Sequence, residues 1–222
     1  MNATVRVLLG DDHKIVREGL KMVLADDAGL LVVAEADTGP GVLNMVQALK
    51  GPQGVDVVLL DIAMPGMDGL NVLQNLRRNW PGLPVLMLST YPEKQYAVRC
   101  IQLGASGYLN KSTDTDALVA ALRRVAAGGM HVSPTTAEAL ASLVSQGRTK
   151  SGIEQLSHRE HQVYLLLTQG HSVSEIGAQL SLAPNTVSTY RARILEKTGT
   201  KNDVELALYA QSISGGQSST FG

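Results

Sequence analysis

Five short runs rich in Val and Leu alternate with amphipathic segments of helical length in the first part of the chain. The predicted strands cover residues 4–9, 30–35, 56–60, 84–88 and 106–109. The predicted helices cover residues 13–26, 40–49, 69–79, 93–103 and 114–127. Strands that are apolar on both faces and separated by helices are typical of a parallel sheet covered on both sides. The pattern therefore predicts an α/β domain built on a five-stranded, doubly wound parallel sheet.

Polar side chains stand at the carboxyl ends of four of these predicted strands. Asp11 and Asp12 follow the first strand, Asp61 closes the third, Ser89 closes the fourth and Lys111 follows the fifth. In an open parallel sheet these ends converge on one edge, where α/β proteins build their sites. Three carboxylates there raise one another's pKa unless a cation is bound, and an all-oxygen ligand set suits Mg²⁺. Because a lysine and a hydroxyl suit a phosphoryl group, the residues predict a phosphoryl-accepting site.

Composition sets the outer limits of the prediction. A chain of 222 residues with 44% hydrophobic and 18% charged residues is long enough for one large domain or two modest ones. The single cysteine, Cys100, excludes an intramolecular disulfide and fits a reducing compartment. Residues 1–4 lead directly into a strand pattern, and no apolar run reaches the length of a membrane span. We therefore expect a cytoplasmic protein with no membrane partner.

The chain changes character after the fifth predicted helix. Gly128 and Gly129 are expected to end that helix as a C-cap. A Ser-Pro pair at 133–134 predicts a further helix that ends near Gly147, and the polar segment 148–152 predicts a flexible joint. Four short helices are predicted after the joint, and the Gly/Ser-rich end is predicted to be disordered. The predicted divisions are a domain at 1–127, a linker with a helix at 128–153, a helical domain at 154–213 and a tail at 214–222.

Two short helices joined by a tight turn are predicted in the helical domain. Ser172 and Glu175 form a capping-box pattern that predicts the start of a helix over 173–180. Pro184 then predicts the start of a second helix over 185–197. Two helices joined in this way match a DNA-binding helix-turn-helix, in which the second helix enters the major groove. The domain is therefore predicted to be an all-α, double-stranded DNA-binding module.

The second helix of this motif carries two sets of residues that are predicted to meet DNA. Val187, Tyr190 and Ile194 lie at the spacing of a buried face, so another face is free for base edges. Basic residues on and after the helix are suited to phosphate contacts. The predicted base contacts are Asn185, Ser188, Thr189 and Ala192. The predicted phosphate contacts are Arg191, Arg193, Lys197 and Lys201.

The polar residues at the strand ends, in this order, resemble the receiver domain of bacterial two-component response regulators. The resemblance includes the turn Pro65-Gly66-Met67-Asp68-Gly69 and covers residues 1–127. It implies that Asp61 accepts a phosphoryl group from a sensor histidine kinase. It also implies that Lys111 and Ser89 contact phosphoryl oxygens.

The same resemblance implies a metal site and a switch. Asp11, Asp12 and Asp61 would hold Mg²⁺ together with the backbone carbonyl of Ala63. Tyr108 matches the switch aromatic of the family and would turn inward when Ser89 moves. These roles come from the resemblance, since residue spacing alone does not specify them.

The segment from Leu156 to Lys197 looks like a LuxR-type helix-turn-helix, so the whole chain is similar to NarL/FixJ-type response regulators. This similarity implies a phosphorylation-dependent DNA-binding transcription regulator that is not an enzyme and that forms a homodimer when phosphorylated. In the family, the helix at 202–213 serves dimerisation, although it could equally close the core of its own domain. Many relatives carry a lysine at the position of Ser188 and a histidine at the position of Tyr190, which leaves the target sequence open.

Other interpretations of the same residues remain open at this point. Asp11 and Asp12 could cap the first helix, and the basic residues of the helical domain could form a solvated face. Phosphohydrolases that use an aspartyl phosphate place a second Asp two residues after the first, where this chain has Ala63. A phosphorylation-independent binding module would need neither Asp61 nor Lys111, so their presence argues against it.

Overall fold

The residues described by the computed structural model, 4–91, 93–145 and 152–215, fall into two compact units. The units divide between residues 146 and 147. The predicted joint at 148–152 lies outside the described residues except for Gly152, and so does the predicted tail beyond Gly215. Among the described residues, none of the helices has both the length and the apolar character needed to cross a bilayer.

The first unit is built on a parallel five-stranded sheet with the order β2-β1-β3-β4-β5. The strands are β1 (Val5–Gly10), β2 (Leu30–Ala36), β3 (Val57–Asp61), β4 (Val85–Ser89) and β5 (Gly107–Asn110). This order is that of a flavodoxin-like doubly wound sheet, with its switch point between β1 and β3. The predicted fold class is confirmed.

The described residues of this unit form six α-helices. They are α1 (Lys14–Ala25), α2 (Gly39–Ala48), α3 (Gly69–Asn79), α4 (Glu93–Gln102), α5 (Thr115–Ala126) and α6 (Pro134–Ser145). Alternate residues of a strand point to opposite faces of the sheet. Leu8 of β1 accordingly joins the core with α2, α3 and α4, whereas Val7 and Leu9 join the core with α1 and α5. The sheet is therefore covered on both sides, as its apolar strands predict.

Local sequence sets the helix boundaries. Thr38, Asp68 and Asp114 cap α2, α3 and α5 by accepting backbone hydrogen bonds with their side chains. Gly128 has φ +84° just past the end of α5, a left-handed conformation that glycine adopts without steric cost. The glycine stop predicted for the fifth helix is observed.

The segment after α5 packs on the first unit. His131 forms a bridge with Gly107 at the start of β5. Thr136 on α6 is buried and donates a 2.8 Å hydrogen bond to the carboxylate of Glu93 at the start of α4. Part of the region that the sequence pattern assigns to a linker is thus docked against α4 and β5.

In the second unit, residues 152–215 form four α-helices: α7 (His158–Thr168), α8 (Val173–Leu180), α9 (Pro184–Thr198) and α10 (Asp203–Gly215). Capping boxes begin α7 at Ser157 and α8 at Ser172, the second as predicted. Apolar residues of all four helices meet in one core. The helices α8 and α9, joined by a short turn, form the expected helix-turn-helix.

Candidate functional site

The carboxyl ends of β1 and β3 bring three aspartates together. Ligand atoms of Asp11, Asp12, His13 and Asp61 all lie within 4.8 Å of one another. Asp11 and Asp61 are each 3% exposed, and Asp12 is half-buried. This cluster lies at the edge of the sheet where sequence spacing predicts a site, next to the switch point of the strand order.

Lys111 joins two of these carboxylates. Its Nζ atom lies 2.9 Å from Asp61 Oδ2 and 2.6 Å from Asp11 Oδ2. Burial lowers the pKa of Lys111, but its contacts with Asp11 and Asp61 outweigh burial and the net shift is upward. The lysine therefore stays charged beside the two aspartates.

The pKa of Asp61 lies above its ordinary value. Burial is the largest cause, because a carboxylate out of contact with water loses hydration. The ion pair with Lys111 opposes this effect, and the charge of Asp11 adds to it. A buried carboxylate with one cation and one like charge nearby is the arrangement that a further cation would stabilise.

The donor atoms of this cluster fit a hard divalent cation. Asp11 Oδ2 and Asp12 Oδ1 are buried and lack an aligned hydrogen-bond donor among the described residues. Their close neighbours are instead the charged or titratable nitrogens of Lys111 and His13, at 2.6 and 2.7 Å respectively. Carboxylate oxygens with spare lone pairs are ligands that Mg²⁺ accepts. The residues present therefore fit the predicted ion.

His13, for which the sequence pattern predicts no role, lies beside the aspartate cluster. Its imidazole is exposed, with Nδ1 2.7 Å from Asp12 Oδ1 and 3.3 Å from Asp11 Oδ1. Helix α1 begins at Lys14 with His13 as its N-cap residue, so the aspartates do not occupy the capping position. The signal in the sequence was the direct adjacency of His13 to the acid pair.

The turn after β3 is held close to Asp61 by a glycine. The amide of Gly69 donates to the carbonyl of Ile62 at 2.8 Å, and a Cβ at Gly69 would collide with the carbonyl oxygen of Asp61. The side chain of Asp68 accepts from the amide of Asn71 and begins α3. Glycine at this position therefore lets α3 start directly beside the site.

Ser89 is the last residue of β4, Tyr108 lies within β5, and the two side chains share a neighbour, Tyr91. The hydroxyl of fully buried Ser89 accepts a 3.2 Å hydrogen bond from the amide of Tyr91. The hydroxyl of Tyr108, a residue that is 2% exposed, donates a 2.7 Å hydrogen bond to the carbonyl of Tyr91. Asn110 donates to the same carbonyl at 3.2 Å. Tyr91 and Asn110 were not predicted as parts of this network, because Tyr91 joins it through its backbone amide and carbonyl.

In the second unit, helix α9 presents the residues predicted to contact bases. Val187 and Ile194 are fully buried and Tyr190 is half-buried, which fixes the inward face of the helix. The four predicted base contacts, Asn185, Ser188, Thr189 and Ala192, are all exposed. Their side chains are free to enter a groove of DNA.

Two of the four basic residues predicted to contact phosphates are ion-paired within the unit. Arg191 Nε lies 2.7 Å from Asp203 Oδ1, and Lys197 Nζ lies 2.6 Å from Glu160 Oε2. Arg193 and Lys201 are exposed. Sequence spacing places all four residues near the helix, but it does not reveal partners that come from α7 and α10.

Each of the two units matches a known protein family. A model of the response regulator receiver domain covers residues 7–123, and a model of the bacterial regulatory proteins of the luxR family covers residues 154–210. The chain belongs to the NarL/FixJ-type response regulators. Membership of this family confirms the predicted class of function, a DNA-binding transcription regulator of a two-component system.

Similar proteins span almost the whole length of this response regulator. The response regulator GacA of Pseudomonas aeruginosa is 41% identical over 207 residues, which is 93% of this chain and 95% of the relative. The crystal structure of the response regulator ChrA of a heme-sensing two-component system covers 96% of this chain and 98% of its own, with 34% identity and a TM-score of 0.51. RcsB from Salmonella enterica serovar Typhimurium, bound to the rprA promoter with the phosphomimetic BeF₃⁻, covers 93% of this chain and 98% of its own, with 25% identity and a TM-score of 0.55.

Proposed function

We propose that Asp61 accepts a phosphoryl group from a phosphohistidine of a sensor kinase. The observation that carries the proposal is the buried cluster at the edge of the sheet, where Lys111 contacts both Asp61 and Asp11. A carboxylate placed beside a fixed cation can attack phosphorus while the cation compensates the charge that the phosphoryl oxygens bring.

The transfer is an in-line displacement at phosphorus. An oxygen of Asp61 supplies the electron pair for the new O–P bond, and the P–N bond of phosphohistidine breaks. The leaving imidazole nitrogen keeps the electrons of that bond and takes a proton from solvent. The product is an acyl phosphate on Asp61, an ordinary covalent role for a carboxylate. Lys111 pairs with one phosphoryl oxygen, and Ser89 donates a hydrogen bond to another.

The acid cluster would hold Mg²⁺ during this transfer through Asp11, Asp12 and Asp61, with the carbonyl of Ala63 as a further ligand. The bound ion would supply positive charge opposite the phosphoryl oxygens. The spare lone pairs on Asp11 and Asp12 support this assignment. The protein's own contribution is to hold the carboxylates and Lys111 in place before the donor arrives.

The phosphoryl group then acts as a switch through Ser89 and Tyr108. A rotation of the Ser89 side chain that brings its hydroxyl to a phosphoryl oxygen would move this hydroxyl away from the Tyr91 amide, from which it now accepts a hydrogen bond. Tyr91 also accepts from Tyr108, so a change at Ser89 reaches the edge of the sheet at β5. Moving such an equilibrium from 1:99 to 99:1 requires about 5.5 kcal/mol, within reach of several charge-assisted contacts.

The output is binding to double-stranded DNA by α9, which changes transcription. The exposed positions of α9 support this role, and so does the similarity to RcsB, whose complex with a promoter contains a phosphomimetic. We infer that phosphorylation favours a homodimer, since a pair of helix-turn-helix units reads two half-sites about one helical turn apart. Because the proposed target is DNA, we also propose that the protein acts in the cytoplasm.

The acceptor residue can be identified by chemical trapping. The full chain is treated with Mg²⁺ and a small acyl-phosphate donor, and the acyl phosphate is then reduced with borohydride, which converts the modified aspartate to homoserine. Peptide mass analysis should find homoserine at position 61 of the wild type. It should find no homoserine in the Asp61→Asn variant. Homoserine at Asp11 or Asp12 in place of Asp61 would refute the assignment.

A further inference from the structure

We propose that helix α9 discriminates its DNA half-site mainly at A·T pairs. Asn185 would form two hydrogen bonds with adenine, and the methyl groups of Thr189 and Ala192 would contact the 5-methyl group of thymine. The inference rests on the proposed DNA-binding function and specifies which base chemistry that function reads. It comes from the chemical character of the exposed face of α9.

The outward face of α9 is uncharged or acidic at its centre. Successive residues of a helix are rotated by about 100°, so the face opposite buried Val187 and Ile194 follows from their positions. The centre of this face is formed by Asn185, Thr189, Ala192 and Glu196, all of them exposed. In a helix-turn-helix the N-terminal part of the second helix contacts the bases, which leaves Glu196 in the last turns outside the groove.

The cations of α9 lie away from this centre. Arg191 is paired with Asp203, and Lys197 is paired with Glu160. Exposed Arg193 lies on the flank of the face, one position beyond Ala192. Arg and Lys make the commonest specific contacts with guanine, through its O6 and N7 atoms. Because the central positions carry neither residue, guanine is not the base that this face is built to read.

The contact made by Thr189 determines which of its groups faces the DNA. Its hydroxyl donates a 2.9 Å hydrogen bond to the carbonyl of Asn185, one turn earlier in the same helix. A hydroxyl engaged in this way has no proton left for a base acceptor. The methyl group of Thr189 is the apolar part of this exposed side chain, and it is a suitable partner for the thymine methyl group in the major groove.

Asn185 and Ala192 complete the pattern. An asparagine amide can donate to N7 and accept from N6 of adenine at the same time, whereas alanine can only offer a methyl group. At 1.5 Å per residue the two positions are about 10 Å apart along the helix, the length of about three base-pair steps. Ser188, beside them, can bond to either kind of pair and does not discriminate.

The test uses the phosphorylated full chain and a half-site selected from randomised DNA. Each thymine of the selected half-site is replaced in turn by uracil, which removes only the methyl group. Each adenine is replaced in turn by 7-deazaadenine, which removes N7. We expect at least one uracil to weaken binding about fourfold, the equivalent of about 0.8 kcal/mol for one methyl group. We expect at least one 7-deazaadenine to weaken binding about tenfold.

Side-chain variants assign each effect to a residue. Thr189→Ser keeps the hydroxyl and removes the methyl group. The variant should bind the unmodified half-site about fourfold more weakly than the wild type does. On the half-site with the uracil that weakens wild-type binding, the variant and the wild type should bind equally. In the same way, the losses of affinity caused by Asn185→Ala and by the sensitive 7-deazaadenine replacement should not add when the two changes are combined. Thr198→Ser is the matched control, because the Thr198 hydroxyl makes the same kind of bond, to the Ile194 carbonyl, but in the last turn.

Each outcome bears on a separate claim. Specific binding that is unaffected by every uracil and 7-deazaadenine replacement would overturn the A·T inference and leave the DNA-binding function intact. Additive losses in the combined variants would also overturn it, since the side chain and the base atom would then act independently. Failure to select any sequence would overturn the proposed function, and this inference with it.

Discussion

The ammonium group of Lys111 lies 2.9 Å from the carboxylate of Asp61 before any phosphoryl group is present. The same nitrogen contacts Asp11, so one cation compensates two buried carboxylates. Under the proposed function, this arrangement keeps Asp61 ready to act as a nucleophile and places a partner for a phosphoryl oxygen in advance. Positioning of this kind is most of what a protein can contribute to phosphoryl transfer.

Replacement of Lys111 should therefore impair phosphorylation strongly. Lys111→Gln removes the cation but keeps a polar side chain, and we expect phosphorylation by a small acyl phosphate to slow by about a hundredfold. The rate is measured from the fraction of phosphorylated chain by intact-protein mass spectrometry. Lys50→Gln, at an exposed lysine, is the matched control and should react at the wild-type rate. Equal rates for both variants would show that Lys111 has no part in the transfer.

The hydrogen bond between Thr136 and Glu93 should hold helix α6 against α4. Thr136→Val removes the hydroxyl at nearly constant volume, and a hydrogen bond to a charged group contributes about 1.5–3 kcal/mol. We expect hydrogen exchange in residues 134–145 of the full chain to become about tenfold faster or more. Thr135→Val, at the exposed neighbouring position, should leave exchange unchanged. Unchanged exchange in both variants would mean that other contacts hold α6.

Glu160 should stabilise the second unit in a pH-dependent way. Burial raises the pKa of Glu160, but the ion pair with Lys197 and the hydrogen bond from the Ser157 amide outweigh burial and lower it below the ordinary value of 4.5. A carboxyl group with a lowered folded-state pKa contributes stability above its unfolded pKa and loses it as the pH falls through the folded value. Glu160→Gln should cost about 1–2 kcal/mol at neutral pH, since Lys197 is partly exposed.

The pH series provides the check on Glu160. Hydrogen exchange of the α7 and α9 amides in the full chain should differ between wild type and Glu160→Gln at pH 7. The difference should shrink as the pH is lowered below 4.5. A difference that stays constant down to low pH would show that the loss comes from packing and not from the charge of Glu160.

The salt dependence of DNA binding should separate the ion-paired cations of the second unit from the exposed ones. Each phosphate contact that is lost reduces the slope of log affinity against log salt by about one. We expect this reduction for Arg193→Gln. Lys197→Gln should weaken binding with little change in slope, because Lys197 positions α9 through Glu160. A slope reduced by about one in Lys197→Gln would mean that Lys197 leaves Glu160 to contact a phosphate.

Sequence patterns predicted the sheet and the convergence of its polar strand ends, because both depend on local rules. Apolar strands require cover on both faces, and Asp61, Ser89 and Lys111 converge because parallel strands end at one edge. The same reasoning located the helix-turn-helix from its capping box and from Pro184. Each of these signals lies within a few residues of the element that it specifies.

The partners of the basic residues depend on tertiary contacts that no local pattern encodes. Glu160 lies 37 residues before Lys197, and only the packing of α7 on α9 brings them together. Tyr91 joins the network of Ser89 and Tyr108 through backbone atoms, which leave no signature in side-chain chemistry. The docking of Thr136 on Glu93 likewise follows from the packing of α6 on α4.

DNA binding by the full chain, with and without Mg²⁺ and a small acyl-phosphate donor at fixed salt, tests the central claim most directly. We expect the donor to strengthen binding to a selected paired half-site in the wild type and in Asp26→Asn, a control at an exposed aspartate. We expect Asp61→Asn to bind equally weakly in both conditions. A donor response that persists in Asp61→Asn would contradict the account, since phosphorylation of Asp61 would then not control the DNA-binding unit.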